Sequence, residues 1–522
     1  MSLTLGVDPP GGRASLFCGS KVLHDIQLRR LFFDSKTFVD MPMKADPHVV
    51  EERFSKLPRN HNGELSYDEL FAFVRDNFAE AGSDMSLHPI PPQDDDGFEF
   101  MGHITDEGVR AWALYLRGAW NILNRRTSPE VESFPWRHSL LHLPRPQVVP
   151  GERFREAYYW DSYWVVRGLL VSGHVEAAHD VVYNLLSLAA RYGFVPNGGR
   201  VYYLNRSQPP LLSRMVVDLW SATGCQDVAL VSYALPLLCR EHEYFTRGGH
   251  EVRVRAPGGT VHSLSRYWAY WDAPRPESYR EDVELARGRE AGARAGLYRD
   301  IASAAESGWD FSSRWMEDGK HMGALATTHV LPADLNAFLY RMETDIACLA
   351  EFLGDASLSQ EFALQAACRK DAINSILWAP EHHQWRDLWM SPESAEAAAG
   401  GQPVDLWALL RRGGCGMYAS NWVPLWCGLA EDNSLMATSA VGSLERSGLV
   451  LPGGIATSTE ETGQQWDYPN AWPPLNHMLI EGVARYGGPG GREIARQIAH
   501  RWLRSNYAGY QKHGVMHEKY DA

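Results

Sequence analysis

The chain has 522 residues, 45% of them apolar and 22% charged, enough for a large buried core and for more than one domain. Acidic residues outnumber basic ones 64 to 50, and the resulting formal charge of −14 disfavours nucleic acid and acidic membrane surfaces as partners. No apolar run approaches the ~18 residues of a bilayer span, and the N-terminal segment lacks the charged-then-apolar order of a signal peptide.

In chain order, residues 1–16 are expected to be disordered. Pro58–Glu69 imitates a calcium loop, with Asn60, Asn62, Gly63 and Glu69 in register. Its first ligand position is Pro58, which has no side-chain oxygen, so no metal site is read there. The stretch 76–106, with its Asp94-Asp-Asp-Gly97 cluster, is the least regular. Val109, Trp112, Leu116, Trp120 and Leu123 then recur at helical spacing, as do Ala178, Val181, Val182, Leu185, Leu186 and Ala189. Residues 252–256 and 260–264, around the turn Pro257-Gly-Gly, read as one small β-hairpin inserted among helices. A third stripe runs from Leu335 through Phe338, Met342, Ile346 and Leu349 to Leu353, and further helices are predicted over 360–377, 437–447, 472–486 and 492–507. The run Gly487–Gly491 is read as a helix–helix loop, because no Lys-Ser/Thr follows it to make a phosphate cradle. Helix after helix without a parallel-sheet pattern predicts an all-α fold, a single domain over 1–522, with helix hairpins closed into a ring.

Seven cysteines (Cys18, Cys225, Cys239, Cys348, Cys368, Cys415 and Cys427) are odd in number and without CxxC spacing. Neither a zinc site nor a complete disulfide framework is read from them, and buried thiols are the expectation. The 19 tryptophans beside many carboxylates suit a neutral polyhydroxylated ligand, which leans the reading toward carbohydrate chemistry. Five stretches combine Trp, Arg, Gly and carboxylates more densely than packing requires: PGERFREAYYWDSYW (150–164), PNGGRVYYLNRSQPP (196–210), PRPESY (274–279), ESGWDFSSRW (306–315) and GQQWDYPNAWPP (463–474). Most fall between helices, where loops on one rim of a ring converge. Trp160, Trp309, Trp466 and Trp472 offer apolar faces to the C–H faces of a pyranose. Arg153, Arg206 and Arg275 supply planar donor forks, while Asn197 and Gln208 both donate and accept as a hydroxyl requires.

These stretches resemble the trehalases, glycoside hydrolase family 37. PGERFREAYYWDSYW is similar to that family's first signature and QWDYPNAWPP to its second, and LFFDSKTFVDMP (31–42) is typical of the same group. The likeness runs from about Phe17 to Asp521 and is strongest to animal trehalases. The resemblance implies an (α/α)6 toroid that hydrolyses α,α-trehalose to two glucoses with inversion and without a cofactor. It implies Asp310, in Gly-Trp-Asp, as general acid and Glu518, in Glu-Lys-Tyr-Asp, as general base. It carries substrate contacts over to Arg153, Trp160, Asp161, Asn197, Arg206, Ser207, Gln208, Arg275, Pro276, Glu277 and the backbone around Gly308. The residues fit those roles. Asp310 lies between Trp309 and Phe311, whose apolar character favours the protonated carboxyl that an acid needs, whereas Glu518 is followed by Lys519, which favours the ionised form.

Two departures stand out. Glu152 replaces the usual glycine of the first signature, and the chain ends at Ala522, where family members continue through a glycine-rich loop with another pocket glutamate and a last helix. A ring without its closing helix is expected to leave Glu518 on a fraying end and to depress activity. The alternatives are therefore a weak or inactive trehalase-like sugar-binding protein and, further off, a glucoamylase-like hydrolase. Animal relatives are secreted or lipid-anchored, yet neither signal is read in this sequence. The sequon Asn205-Arg206-Ser207 overlaps the substrate stretch. We expect it to be unmodified; peptide mass spectrometry of active protein from a secretory host checks this, and a glycan on Asn205 refutes the pocket assignment.

Overall fold

A computed structural model describes residues 15–91, 99–151, 153–409 and 417–522. The Asp94–Gly97 cluster, Glu152 and Cys415 lie outside the described residues. The chain divides into two compact units, one of Met1–Thr105, Ala113–Gln208 and Ala269–Ala302, the other of Asp106–Trp112, Pro209–Trp268 and Ser303–Ala522.

In the first unit the helices Leu16–Gly19, Lys21–Leu28 and Ser35–Val39 are each opened by a side-chain oxygen, as Ser15, Ser20 and Asp34 accept from the N–H groups of Phe17, Leu23 and Lys36. Ser15 thus caps the first helix and Leu16 opens it, while residues 1–14 lie outside the described residues. The helix Tyr67–Asn77 begins with a capping box. Ser66 Oγ accepts from Glu69 N, and the Glu69 carboxylate accepts from Ser66 N. Glu69, the last position of the calcium-like pattern, is therefore a helix cap, and Asn60 Oδ1 turns inward to accept from the backbone of Asn62 and Glu64. Phe17, Ile26, Phe38 and Leu70 from these helices and Val50 from the helix Pro47–Ser55 form one apolar core with Tyr202 and Trp271. The helices Asp161–Val171 and Val175–Tyr192 pack together, with the predicted stripe Ala178–Ala189 buried on the second of them. A small antiparallel sheet joins Met85–Leu87, Asn124–Thr127 and Gln147–Val148.

One cluster inside this unit joins four buried charges. Lys36 Nζ meets Asp40 at 2.5 Å and Glu156 at 2.8 Å, and Arg200 Nε meets Glu156 at 2.6 Å and Asp40 at 3.2 Å. Tyr158 and Tyr202 donate their hydroxyls to Glu156 and Asp40. Two of the Arg- and Glu-rich stretches thus contribute Glu156 and Arg200 to framework as well as to any pocket.

In the second unit the helix Ala333–Phe352 is buried on most of its surface against Leu212–Ala222, Val228–Thr246, Ala356–Ala372 and Val423–Cys427. The predicted helix over 360–377 is Ala356–Ala372, closed by a wider turn at Ile373–Leu377. The hairpin forms between Glu251–Arg255 and Val261–Ser265, with Glu251 opposite Ser265 and Arg255 opposite Val261. Val404–Asp405 adds a parallel third strand too short to leave a periodic signal. The glycine run read as a loop instead opens the helix Gly488–His513, with its proline in the first turn. A Cβ on Gly487 or Gly491 would lie 2.7 Å from the Val483 carbonyl of the preceding helix Pro473–Tyr486, so close approach of backbones accounts for both glycines. The helix Glu107–Leu123 forms where the spacing predicts it, with only Trp112 of its stripe fully buried.

The expectation of buried thiols holds for Cys18 and Cys427; Cys239 is half-buried, and Cys225, Cys348 and Cys368 are exposed. Among the described residues no helix is long and apolar enough to cross a membrane.

Breaking the buried charge cluster tests its weight. Glu156→Gln leaves Lys36 and Arg200 under-neutralised and is expected to destabilise by about 3–5 kcal/mol, read from the urea midpoint. Burial favours the neutral acid, but Lys36 and Arg200 hold the Glu156 carboxyl down at about 2. That lies below the unfolded value of about 4.3, so its stabilisation is complete above that pH and is lost as pH falls toward 2. The variant should lack this component of acid sensitivity.

Candidate active site

In the first unit three predicted arginines each face a carboxylate. Arg153 is half-exposed and grips Asp34 with Nε–Oδ2 at 2.6 Å and Nη2–Oδ1 at 2.9 Å. Although Asp34 is partly buried, the hydrogen bonds from Arg153 hold its carboxyl below the usual range. Arg275 forms a fork with Asp282 at 2.7 and 2.9 Å. Arg206 is buried and donates to Glu277 at 2.6 Å, to Asn197 Oδ1 at 3.1 Å and to Asn205 Oδ1 at 3.0 Å. Arg206, Asn197 and Glu277 are thereby brought together, and the second carboxylate oxygen of Glu277 is buried without a hydrogen-bond partner. That oxygen is an acceptor in search of a donor such as a sugar hydroxyl.

The neighbouring residues hold this group in place. Gln208 Oε1 accepts from Trp160 N at 3.1 Å, and Ser207 Oγ donates to the Val195 carbonyl at 2.6 Å. Trp160 is buried with its ring edge-on to Trp164, and Asp161 stands half-buried in the first turn of its helix. Pro276 opens the short turn Pro276–Ser278 and sets Glu277 within it.

The helix Ala291–Glu306 ends with the Glu306 carboxylate buried, accepting from Trp268 N at 2.7 Å and from the Tyr244 hydroxyl at 3.1 Å, all three residues in the second unit. Gly308 follows at φ 75°, a left-handed turn that a side chain would strain. The turn delivers Trp309 to the interior and Asp310 to a half-buried position. Arg314, forked onto Asp334 and Asp387, lies 4.8 Å over the Trp309 ring. Trp309 stacks near-parallel on Trp466 with centroids 5.5 Å apart, and Trp466 stacks on Trp472 at 3.9 Å. The predicted tryptophan faces are thus partly spent on one another.

The segment 464–472 also holds the backbone on both sides. Gln465 Nε2 donates to the Asp310 carbonyl and Trp466 N to the Phe311 carbonyl. Asn470–Ala471 pairs antiparallel with Tyr520–Asp521, and Ala522 N donates to the Pro469 carbonyl. Glu518 is exposed but lies two residues from this pairing, and Lys519 places its ammonium 5.5 Å from the centroid of the Trp472 ring. The segment expected to fray carries this pairing, and Tyr520 is buried with its ring edge against Trp502.

The Trehalase family model matches residues 30–522. A probable trehalase from Oryza sativa is 45% identical over 94% of this chain and 86% of its own length. Human trehalase is 38% identical over 98% of this chain and 85% of its own. Among solved structures, neutral trehalase Nth1 from Saccharomyces cerevisiae superposes with a TM-score of 0.59 at 25% identity, covering 78% of this chain and 76% of that one. The chain belongs to the trehalase family.

Membership assigns the trehalase fold class, the helical toroid expected from the unbroken series of helices. A cleft of about 740 Å³ in the second unit, lined by Cys239, His242, Glu343 and Arg369 among others, shares no residue with the trehalase-like stretches. Sequence reasoning passed over Asp34 and Asp282, the partners of Arg153 and Arg275, and the buried Asp467. Asp467 had a signal, since it lies inside the second signature and within nine residues of Ser458 and Thr462, both short hydroxylic side chains. Gly308→Ala forces a side chain into the left-handed region and is expected to cost about 1–2 kcal/mol, measured as a lower thermal midpoint.

Proposed function

We propose that this trehalase-family chain hydrolyses α,α-trehalose, with Asp310 as general acid and Glu518 as general base. The observation that carries the assignment is that the segments bearing both carboxylates are tied to the same stretch, 464–472, one through the Asp310 and Phe311 carbonyls and the other through the Tyr520–Asp521 pairing. Asp310 gives its proton to the bridging oxygen as the bond from one anomeric carbon to that oxygen breaks. Glu518 takes a proton from the water that attacks the same carbon from the opposite face. Inverting hydrolases hold two such carboxyls ~6.5–9.5 Å apart to admit that water. One glucose leaves with its α configuration retained, and the attacked one forms as the β anomer.

Substrate contacts are assigned as the family resemblance carries them over. Glu277 accepts through its unpartnered oxygen, while Arg206 and Asn197 set its direction. Arg153, at the more exposed fork, is placed to exchange Asp34 for a sugar hydroxyl. Trp160, Asp161, Ser207, Gln208, Arg275, Pro276, Gly308, Trp466 and Trp472 complete the proposed contact set, several of them by shaping backbone rather than by touching sugar.

Glucose release from trehalose tests the reading. Asp310→Asn and Glu518→Gln are each expected to lose about 100- to 10,000-fold in kcat while still binding trehalose in calorimetry. Proton NMR of the first products should show α- and β-glucose in equal amounts. Either variant retaining activity within tenfold of the wild type, or a single anomer as first product, overturns it.

A further inference from the structure

We propose that Asp467 is a positioning residue of this hydrolysis, fixing the backbone that carries Asp310 without touching substrate. The proposal rests on the assignment of Asp310 as the acid. Asp467 is fully buried, and its carboxylate accepts from Ser312 Oγ at 2.8 Å, Ser313 N at 2.7 Å, Ser313 Oγ at 2.9 Å, Ser458 Oγ at 2.9 Å and Thr462 Oγ1 at 2.5 Å. Among the described residues no cation pairs with it. Asp334 and Asp345, also buried in that unit, are instead paired with Arg314 and Arg341.

The network has a direction. Three of the four hydroxyls that donate to Asp467 use their lone pairs to accept from backbone N–H groups, while Ser313 Oγ meets the Tyr418 hydroxyl at 3.1 Å. Ser312 Oγ accepts from Arg314 N, Ser458 Oγ from Glu460 N and Tyr468 N, and Thr462 Oγ1 from Gln464 N. One carboxylate therefore orients four hydroxyls, and through three of them the backbone of 312–314, 458–460 and 462–464. An amide in its place would turn an N–H₂ toward these donors and break the pattern on one side. The pinned residues follow Asp310 directly, and the two positions before Asp467 hold the Asp310 and Phe311 carbonyls. Displacement of a reacting group by about 1 Å costs about 100-fold, so loosening this anchor should appear in the chemical step.

The test uses the full chain with Asp467→Asn, Ser312→Ala, and Asp345→Asn as the control for loss of a buried carboxylate elsewhere. Steady-state trehalose hydrolysis is measured beside circular dichroism and thermal unfolding. In folded protein, Asp467→Asn should lower kcat about 30- to 100-fold with KM within about threefold of the wild type. Ser312→Ala should lower kcat several-fold in the same manner, and Asp345→Asn should lose thermal stability but keep its kcat. A folded Asp467→Asn with wild-type kcat overturns the proposal, as does a fall in kcat shared by Asp345→Asn. Should Asp467→Asn fail to fold, Ser312→Ala decides, and a wild-type kcat there overturns the proposal too. Asp310→Asn separates the two claims. If it is inactive while Asp467→Asn turns over normally, the positioning role fails and the acid assignment stands; if it is active, the acid assignment itself fails.

Discussion

A carboxylate taken out of water needs donors to replace its hydration, and that requirement organises the loops of the second unit. Asp467 meets it with hydroxyls and one backbone amide instead of an arginine, so several short segments must converge on one side chain. The convergence fixes the stretch after Asp310 and leaves the neighbouring tryptophans in a stack. It also sets Asn470–Ala471 in place as a strand for Tyr520–Asp521 to pair with. The arrangement explains why short hydroxylic residues cluster at Ser312-Ser313 and Ser458–Thr462, where a helix-packing argument finds no use for them.

The first unit handles charge differently. There each arginine of the trehalase-like stretches faces an acid, and burial grades the pairs. Arg153–Asp34 is half-open to solvent; Arg206–Glu277 is closed, with one oxygen left over; Arg200–Glu156 is wholly interior and joined by Lys36 and Asp40. Similar residue types thus form open pairs at one depth and closed framework at another. Desolvation is what separates them, because an ion pair in the interior cannot be given up without stranding a charge.

Much of this was legible beforehand. The stripes at Ala178–Ala189 and Leu335–Leu349 announced their helices because a buried face repeats every three to four residues. The signatures around Trp160, Asp310 and Trp466 announced the chemistry because a sugar site concentrates Trp, Arg and carboxylate in loops. The misreadings share a cause. Glu69 resembled a metal ligand and is a cap, the glycines at 487–491 resembled a loop and open a helix, and the third strand at Val404–Asp405 left no trace. In each case the deciding contact was either too local and short for periodicity or too distant in sequence to be paired by eye.

The amino-acid order by itself determined the helical class, the family and the residue types that acid–base cleavage of an acetal requires, since these depend on local periodicity and on motifs that tolerate little variation. Which acid each arginine faces, which carboxylate keeps an unpartnered oxygen, and which buried aspartate ties the loops together were decided only by tertiary structure. The physical reason is that pairing and desolvation join positions as far apart as Arg153 and Asp34 or Ser312 and Asp467. Neither partner carries any mark of the other until the chain has folded.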